Sequence, residues 1–253
     1  MRTLLLIGIG PGNPDHLTLE AVHSLQAVDV FFVVDKGADK HDLAAVRDAV
    51  CARHRPDGAF TTVRLRDPER DRSPDDYAVA VDDWHRRRAQ VYGDAIRREL
   101  APGRVGAFLV WGDPTVYDST LRIVDQVRAD QEDLADLVVE VIPGISAISL
   151  LAARHAIGLN RIGAAVHVTT GRRLAAGEVP ADHDLVVVLD GELAFTTVPS
   201  GDHIYWGASL GTADEVLIEG PVGEVRDRIV AARAEARARH GWIMDTYLIR
   251  RGG

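Results

Sequence analysis

Residues 3–21, TLLLIGIGPGNPDHLTLEA, decide how the rest of the chain is read. Leu4, Leu5, Leu6 and Ile7 form a short unbroken apolar run, the pattern of a strand buried on both faces. Gly8, Gly10 and Gly12 follow, with Pro11 between the last two. From Thr18 onward, Leu19, Val22, Leu25 and Val28 recur at helical spacing; Thr18 can accept from the orphan amides, and Glu20 falls in the positive first turn. A glycine turn therefore joins a strand to a helix, and the question is what that turn holds.

Three glycine-turn chemistries compete. A dinucleotide fold would place an acid at the end of the second strand, where Asp35 closes the apolar run 30–34. Its third glycine, however, belongs at position 13, which is Asn13, and Pro11 removes an amide that could face a pyrophosphate. A Walker loop lacks its Gly-Lys-Ser/Thr ending. Gly144-Ile145-Ser146-Ala147-Ile148 imitates the hydrolase nucleophile elbow but has Ile148 where the closing glycine belongs, so Ser146 reads as a helix cap.

Composition narrows the field further. The chain has 253 residues, 46% of them hydrophobic, enough for one large or two small cores. A formal charge of −9 argues against a nucleic-acid surface. One cysteine, Cys51, excludes an internal disulfide framework and a multi-cysteine metal site, and a reduced, cytoplasmic setting is the default. The ten histidines show neither HExxH nor paired ligand spacing, so no metal is expected. The N-terminal apolar run is too short to span a bilayer, and no membrane partner is expected.

Strand-like runs at 105–110 and 137–142 end in Trp111-Gly112-Asp113-Pro114 and Pro143-Gly144-Ile145-Ser146. Helical spacing follows over 119–127 and 146–156, and an earlier helix is predicted over 43–51. Alternating strands and helices imply a parallel sheet whose carboxyl-end loops gather into one crevice. Residues 61–100 are charged and read as a helical insertion beside the sheet: the loop LRDPERDRSPDD, then Tyr77, Val81, Trp84, Val91 and Ala95 at helical spacing. Arg64, Arg66, Arg70 and Arg72 read as a solvated loop, with a basic rim for carboxylates as the alternative, and Arg86, Arg87 and Arg88 as a solvated helix face. Beyond residue 160 come short strand-like runs at 164–170, 185–189, 203–208, 216–218 and 244–249, with a long Ala/Arg helix from 222 to about 240. The expected organisation is an N-terminal α/β domain (1–118), a connecting region (119–160) and a mixed C-terminal α/β domain (161–253).

Taken singly, each glycine loop is ordinary turn chemistry. Together GxGPGxxxxLT, GDPxxY and PGIS form an ordered series, each after an apolar run. With Leu210-Gly211-Thr212-Ala213-Asp214-Glu215 added, the chain resembles the tetrapyrrole methylase family, which uses S-adenosylmethionine (SAM) and forms S-adenosylhomocysteine. That resemblance implies two α/β domains, the first sheet mostly parallel and the second mixed, a homodimer, and a polycarboxylate tetrapyrrole substrate. It assigns SAM contacts to Pro11, Trp111, Gly112, Asp113, Val116, Ser146 and Ala147, and adenine contacts to Leu189, Asp190, Ala208 and Gly211. Which of Leu189 and Asp190 faces SAM is left open. Gly10 and Gly12 would let the backbone approach substrate.

The segments 30–37, 66–89, 167–174 and 186–192 resemble the branch of this family that couples methylation to acetate loss. Such a reaction needs a base for water, a donor for an oxyanion and cations for carboxylates. Asp35 and Lys36 are the candidates for the first two, with a solvent-facing loop pair as the alternative. Tyr117 either orients substrate or packs beneath the GDP turn; Arg172 and Arg173 either bind carboxylates or are surface charge. The rival functions are a methylase of the same scaffold acting on another precorrin or on ribosomal RNA, a dinucleotide-dependent oxidoreductase, and a non-catalytic nucleotide-binding module.

Overall fold

The computed structural model describes residues 1–35, 41–69 and 77–252. Contacts divide the chain into two units, Met1–Ile145 and Ser146–Gly253. The division falls inside the stretch read as a connection, and part of that stretch supplies a helix and a strand to the first unit.

The first unit contains β1 (Thr3–Gly8), α1 (Leu19–Gln26), β2 (Val30–Asp35), α2 (His41–His54), β3 (Thr61–Arg66), α3 (Tyr77–Glu99), β4 (Val105–Val110), α4 (Thr120–Asp130) and β5 (Val138–Ile142). Its sheet has the order β3-β2-β4-β1-β5, and every pairing is parallel. The apolar run of β1 is continuous because both faces are covered. Leu4 and Leu6 join a core with Tyr92, Ile96, Ile123 and Val127 of α3 and α4, while Leu5 and Ile7 join one with Ala21, Leu25 and Val50 of α1 and α2. Thr18 caps α1 by accepting the Ala21 amide at 3.0 Å.

Segment 61–100 is not an appendage beside the sheet. It supplies the edge strand β3 and the helix α3 that covers one sheet face. Arg64 and Arg66 accordingly lie on a strand, not in a loop, while Arg70 and Arg72 lie outside the described residues. Arg88 also departs from expectation: it is only 3% exposed. Its Nε and Nη2 donate to Asp67 at 2.6 and 2.8 Å, and its guanidinium stacks 4.2 Å from the Trp84 ring centroid. Arg86 and Arg87 are exposed.

The second unit contains α5 (Ala147–Arg154), β6 (Val166–Thr170), α6 (Gly171–Ala175), β7 (Asp184–Val188), β8 (His203–Ala208), β9 (Val216–Pro221), α7 (Val222–His240) and β10 (Asp245–Arg250). Its sheet, β6-β7-β10-β8-β9, is mixed: β6 and β7 run parallel and the remaining pairs antiparallel. Trp206, Phe195, Tyr247 and Ile229 centre its core. Gly241 ends α7 at φ +73°. Among the described residues no helix is long and apolar enough to cross a membrane, and no group of His, Cys, Asp or Glu could hold a metal ion.

Asp184 begins β7 fully buried and accepts from Arg250 Nη1 at 2.7 Å, Arg161 Nη2 at 2.8 Å and the Arg251 amide at 3.1 Å. Burial pushes its carboxyl up, but these donors outweigh it and hold the carboxyl below the usual range. A depressed folded-state value stabilises above the unfolded value and is lost as pH falls through the folded one. Asp184→Asn should lower unfolding free energy at pH 7 by about 3 kcal/mol. Urea titrations of both proteins should show the gap narrowing only below the ordinary carboxylate range.

Candidate active site

Strand order places β4, β1 and β5 side by side, so the turns at their carboxyl ends, residues 111–113, 9–12 and 143–145, stand next to one another. They are bracketed largely by main chain. Gly10 donates its amide to the Gly112 carbonyl at 3.2 Å, and Gly112 returns the bond at 2.9 Å, forming an isolated antiparallel bridge. These glycines have φ +72° and +71°, which admits this bridge without side-chain strain. Gly144 fits closer still: a Cβ there would lie 2.1 Å from the Gly112 carbonyl oxygen and 2.9 Å from Gly8.

Asp113 ties the second turn to the third. Its Oδ2 accepts the Gly144 amide at 3.0 Å, and its Oδ1 accepts the Thr115 amide at 2.7 Å and the Thr115 hydroxyl at 2.5 Å. Burial raises its carboxyl, yet the hydrogen bonds prevail and hold it below the ordinary value. The amides of Gly10, Gly112 and Gly144 are thus engaged within the turns. A pyrophosphate would need such amides turned toward itself, so these turns are poorly suited to a dinucleotide.

Of the other candidate residues here, Pro11 and Gly12 are buried, Trp111 is half-buried and Val116 is exposed. Tyr117 stands at φ +53° with 47% exposure. Asp35 ends β2, exposed, at the same carboxyl edge, in register with Arg66. Lys36 lies outside the described residues.

Sequence reasoning missed Arg47. The β2–β4 ladder stops at Phe32↔Phe108, and Val110 directs its carbonyl to Ile9 on the β1 side. The Leu109 carbonyl therefore faces the opened β2 side, where Arg47 Nε donates to it at 2.9 Å. Burial lowers the Arg47 pKa, while the Asp118, Tyr92 and Asp48 charges act to raise it. Nothing in the spacing of 43–51 distinguishes this arginine from a surface one.

In the second unit, Ser146 caps α5 by accepting the Ser149 amide at 3.1 Å, and Ala147 is that helix's first residue. Arg172 and Arg173 are exposed on α6, Arg173 lying 3.5 Å from Glu178. The two residues at 189–190 are placed differently. Leu189 sits at φ +53° with 66% exposure, whereas Asp190 is buried. The Asp190 carboxylate accepts from Tyr247 Oη at 2.8 Å, the Ala194 amide at 2.8 Å and the Glu192 amide at 3.0 Å. It anchors the turn, and Leu189 is the side chain the turn presents. Ala208 ends β8 buried, and Gly211, at φ +78°, donates its amide to Glu215 at 2.7 Å.

A parallel sheet with main-chain-bracketed carboxyl-edge turns and a second, mixed sheet agree with the two α/β sheets that the sequence resemblance implies. The chain belongs to the Tetrapyrrole (Corrin/Porphyrin) Methylases, whose family model matches residues 3–226. It is 48% identical over 253 residues to Precorrin-6A synthase (deacetylating) of Sinorhizobium sp, an alignment covering 100% of this chain and 96% of that protein. A crystal structure of a protein described as related to cobalamin synthesis (CobF), from Corynebacterium diphtheriae, is 40% identical with a TM-score of 0.83, over 99% of this chain and 98% of that one. Uroporphyrin-III C-methyl transferase from Thermus thermophilus, solved with S-adenyl homocysteine, shares the fold with a TM-score of 0.58 at 19% identity, over 98% and 92% of the two chains.

The residues present fit the donor this family uses. In the first unit, Gly10 and Gly112 offer backbone without Cβ atoms at the strand tips, and in the second unit Leu189 is an exposed apolar side chain.

Proposed function

We propose that this chain is a SAM-dependent C-methyltransferase of cobalamin biosynthesis that methylates precorrin-5 at C1 and releases acetate, giving precorrin-6A. The observation carrying this reading is the end-to-end 48% identity to Precorrin-6A synthase (deacetylating). The three bracketed turns, whose Gly10, Gly112 and Gly144 amides are already engaged, support a donor without phosphates.

Pro11, residues 111–113, Val116, Ser146 and Ala147 would hold the methionine and ribose parts of SAM, and Leu189 with residues 208–211 the adenine. When bound there, SAM supplies a sulfonium methyl group for displacement by carbon. Asp113 contributes by holding the turns, since its carboxylate is already engaged. No protein nucleophile is needed; alignment of the reacting atoms is the main task of the site.

For deacetylation, Asp35 takes a proton from the water whose oxygen adds to the acetyl carbonyl carbon. The bond from that carbon to C1 then breaks, acetate departs, and the bonding pair stays on C1, which takes the methyl group. Lys36 would donate to the transient oxyanion. Tyr117, exposed at the same edge, would orient the macrocycle, while Arg172 and Arg173 would pair with its carboxylates. Gly10 and Gly12 would allow close approach of the ring. The reading also includes a homodimer, supported by the family resemblance, and a cytoplasmic setting, supported by the single cysteine.

Purified protein mixed with labelled SAM and precorrin-5 should incorporate methyl and release acetate in equal amounts; methylation without acetate would remove the deacetylating half. A thermal-shift titration gives an independent check. S-adenosylhomocysteine at about 100 times its Kd should stabilise the protein by about 2.7 kcal/mol. NAD should leave Tm unchanged, and a shift with NAD alone would restore the oxidoreductase alternative.

A further inference from the structure

Arg233 of α7 occupies a junction that the reaction scheme leaves unused. It is 7% exposed within the second unit. Its Nη2 donates to the main-chain carbonyl of Asp190, and its Nε lies 3.1 Å from Asp245 Oδ2. That same carboxylate oxygen accepts from Trp206 Nε1 at 2.9 Å. Asp245 opens β10 opposite Ala208 in the ladder, and the preceding Met244 carbonyl accepts the Ser209 amide at 2.9 Å. One guanidinium therefore connects the backbone of the 189–190 turn to the strand end carrying the 208–211 turn.

Both turns need such restraint. Leu189 stands at φ +53° and Ser209 at φ +49°, left-handed conformations that a side-chain-bearing residue keeps only where its surroundings over-determine them. The 189–190 turn is held from a second side by Tyr247 and the two amides on the Asp190 carboxylate, and from a third by Gly171, where a Cβ would lie 2.6 Å from Asp190 Cα. A lysine at 233 would keep a charge near Asp245 but lacks the planar guanidinium whose Nη2 donates to the Asp190 carbonyl while Nε stands beside Asp245 as an ion pair without a hydrogen bond. Arg233 and Asp245 form a buried ion pair, whose desolvation cost makes it weak evidence for a purely stabilising role.

We propose that Arg233 is a positioning residue that fixes the 189–190 and 208–211 turns in the conformation that receives the adenosine end of the methyl donor. The proposal rests on the SAM reading above and deepens it. The test is calorimetric titration of S-adenosylhomocysteine into wild type, Arg233→Lys, Arg233→Met and Tyr247→Phe, alongside KM for SAM and kcat. Arg233→Lys should weaken S-adenosylhomocysteine binding about tenfold and raise KM for SAM comparably, with kcat within about threefold of wild type. Tyr247→Phe, which keeps the ring but removes a donor to Asp190, should weaken binding about threefold.

If Arg233→Met does not fold, Arg233→Lys and Tyr247→Phe decide the matter. Unchanged Kd and KM in both variants, even with a lowered Tm, would overturn the proposal, because Arg233 would then serve only the fold. A fall in kcat with Kd and KM unchanged would overturn it equally. Failure of the wild type to bind S-adenosylhomocysteine would instead remove the donor reading on which the proposal depends, and the proposal with it.

Discussion

Gly144→Ala is expected to abolish methyl transfer and to destabilise the protein by about 3 kcal/mol, near the top of the usual range for overpacking. The added methyl would stand 2.1 Å from the Gly112 carbonyl oxygen and 2.9 Å from Gly8, all of it backbone that no rotamer change can move aside. To admit it, the third turn must withdraw, which breaks the Gly144 amide bond to Asp113 and opens the seat proposed for the donor. Gly201→Ala is the control: a Cβ there meets nothing, and the change should stay within about 0.5 kcal/mol. Urea unfolding and S-adenosylhomocysteine titration of both variants check the prediction. Wild-type affinity in Gly144→Ala would show that the close packing of these turns is irrelevant to the donor.

Asp35→Asn is expected to slow acetate release by about 10²- to 10⁴-fold, the span a positioned general base contributes. S-adenosylhomocysteine affinity should stay within about twofold, because the change removes a proton acceptor and leaves the three bracketed turns intact. Asp35 is exposed at the end of β2, on the edge where those turns emerge, and the substitution should cost little stability. Single-turnover measurement of acetate against bound donor separates the two effects. Unchanged acetate release would strike Asp35 from the mechanism and leave it as a rim residue.

Much of this architecture can be read before any coordinates exist, because strands buried on both faces are continuous apolar runs. Residues 105–110 and 203–208 are strands with the ends their composition indicates. Thr61–Arg66 escaped for the complementary reason. As an edge strand it buries only Leu65, and Thr61, Thr62, Arg64 and Arg66 remain exposed, so its pattern resembles a polar loop. Arg88 was misread because charge alone does not reveal burial; its bidentate partner, Asp67, is remote in sequence.

The candidate site divides along the same line. The glycine turns were legible through their positions after apolar runs, since strand-end loops of a parallel sheet collect on one edge. The bond from the Gly144 amide to Asp113 was not, because it depends on which strands are neighbours. Nor could local sequence choose between Leu189 and Asp190. Tyr247 and the amides of Ala194 and Glu192 satisfy the Asp190 carboxylate, while Leu189 is exposed, a difference that depends on residues remote from the pair. Arg47 shows the limit most clearly: an arginine on a helix becomes part of the sheet's edge only because β2 and β4 part company beyond Phe32.

The reciprocal bond between Gly10 and Gly112 involves no side chain at all. Evolution can therefore exchange residues proposed to meet the macrocycle, such as those at the tip of β2, without redesigning the bracket. If the donor sits on that bracket as proposed, heritable choice of acceptor is separated from an unvarying chemical supply, and new specificities can arise by altering the periphery while the joint beneath is left alone.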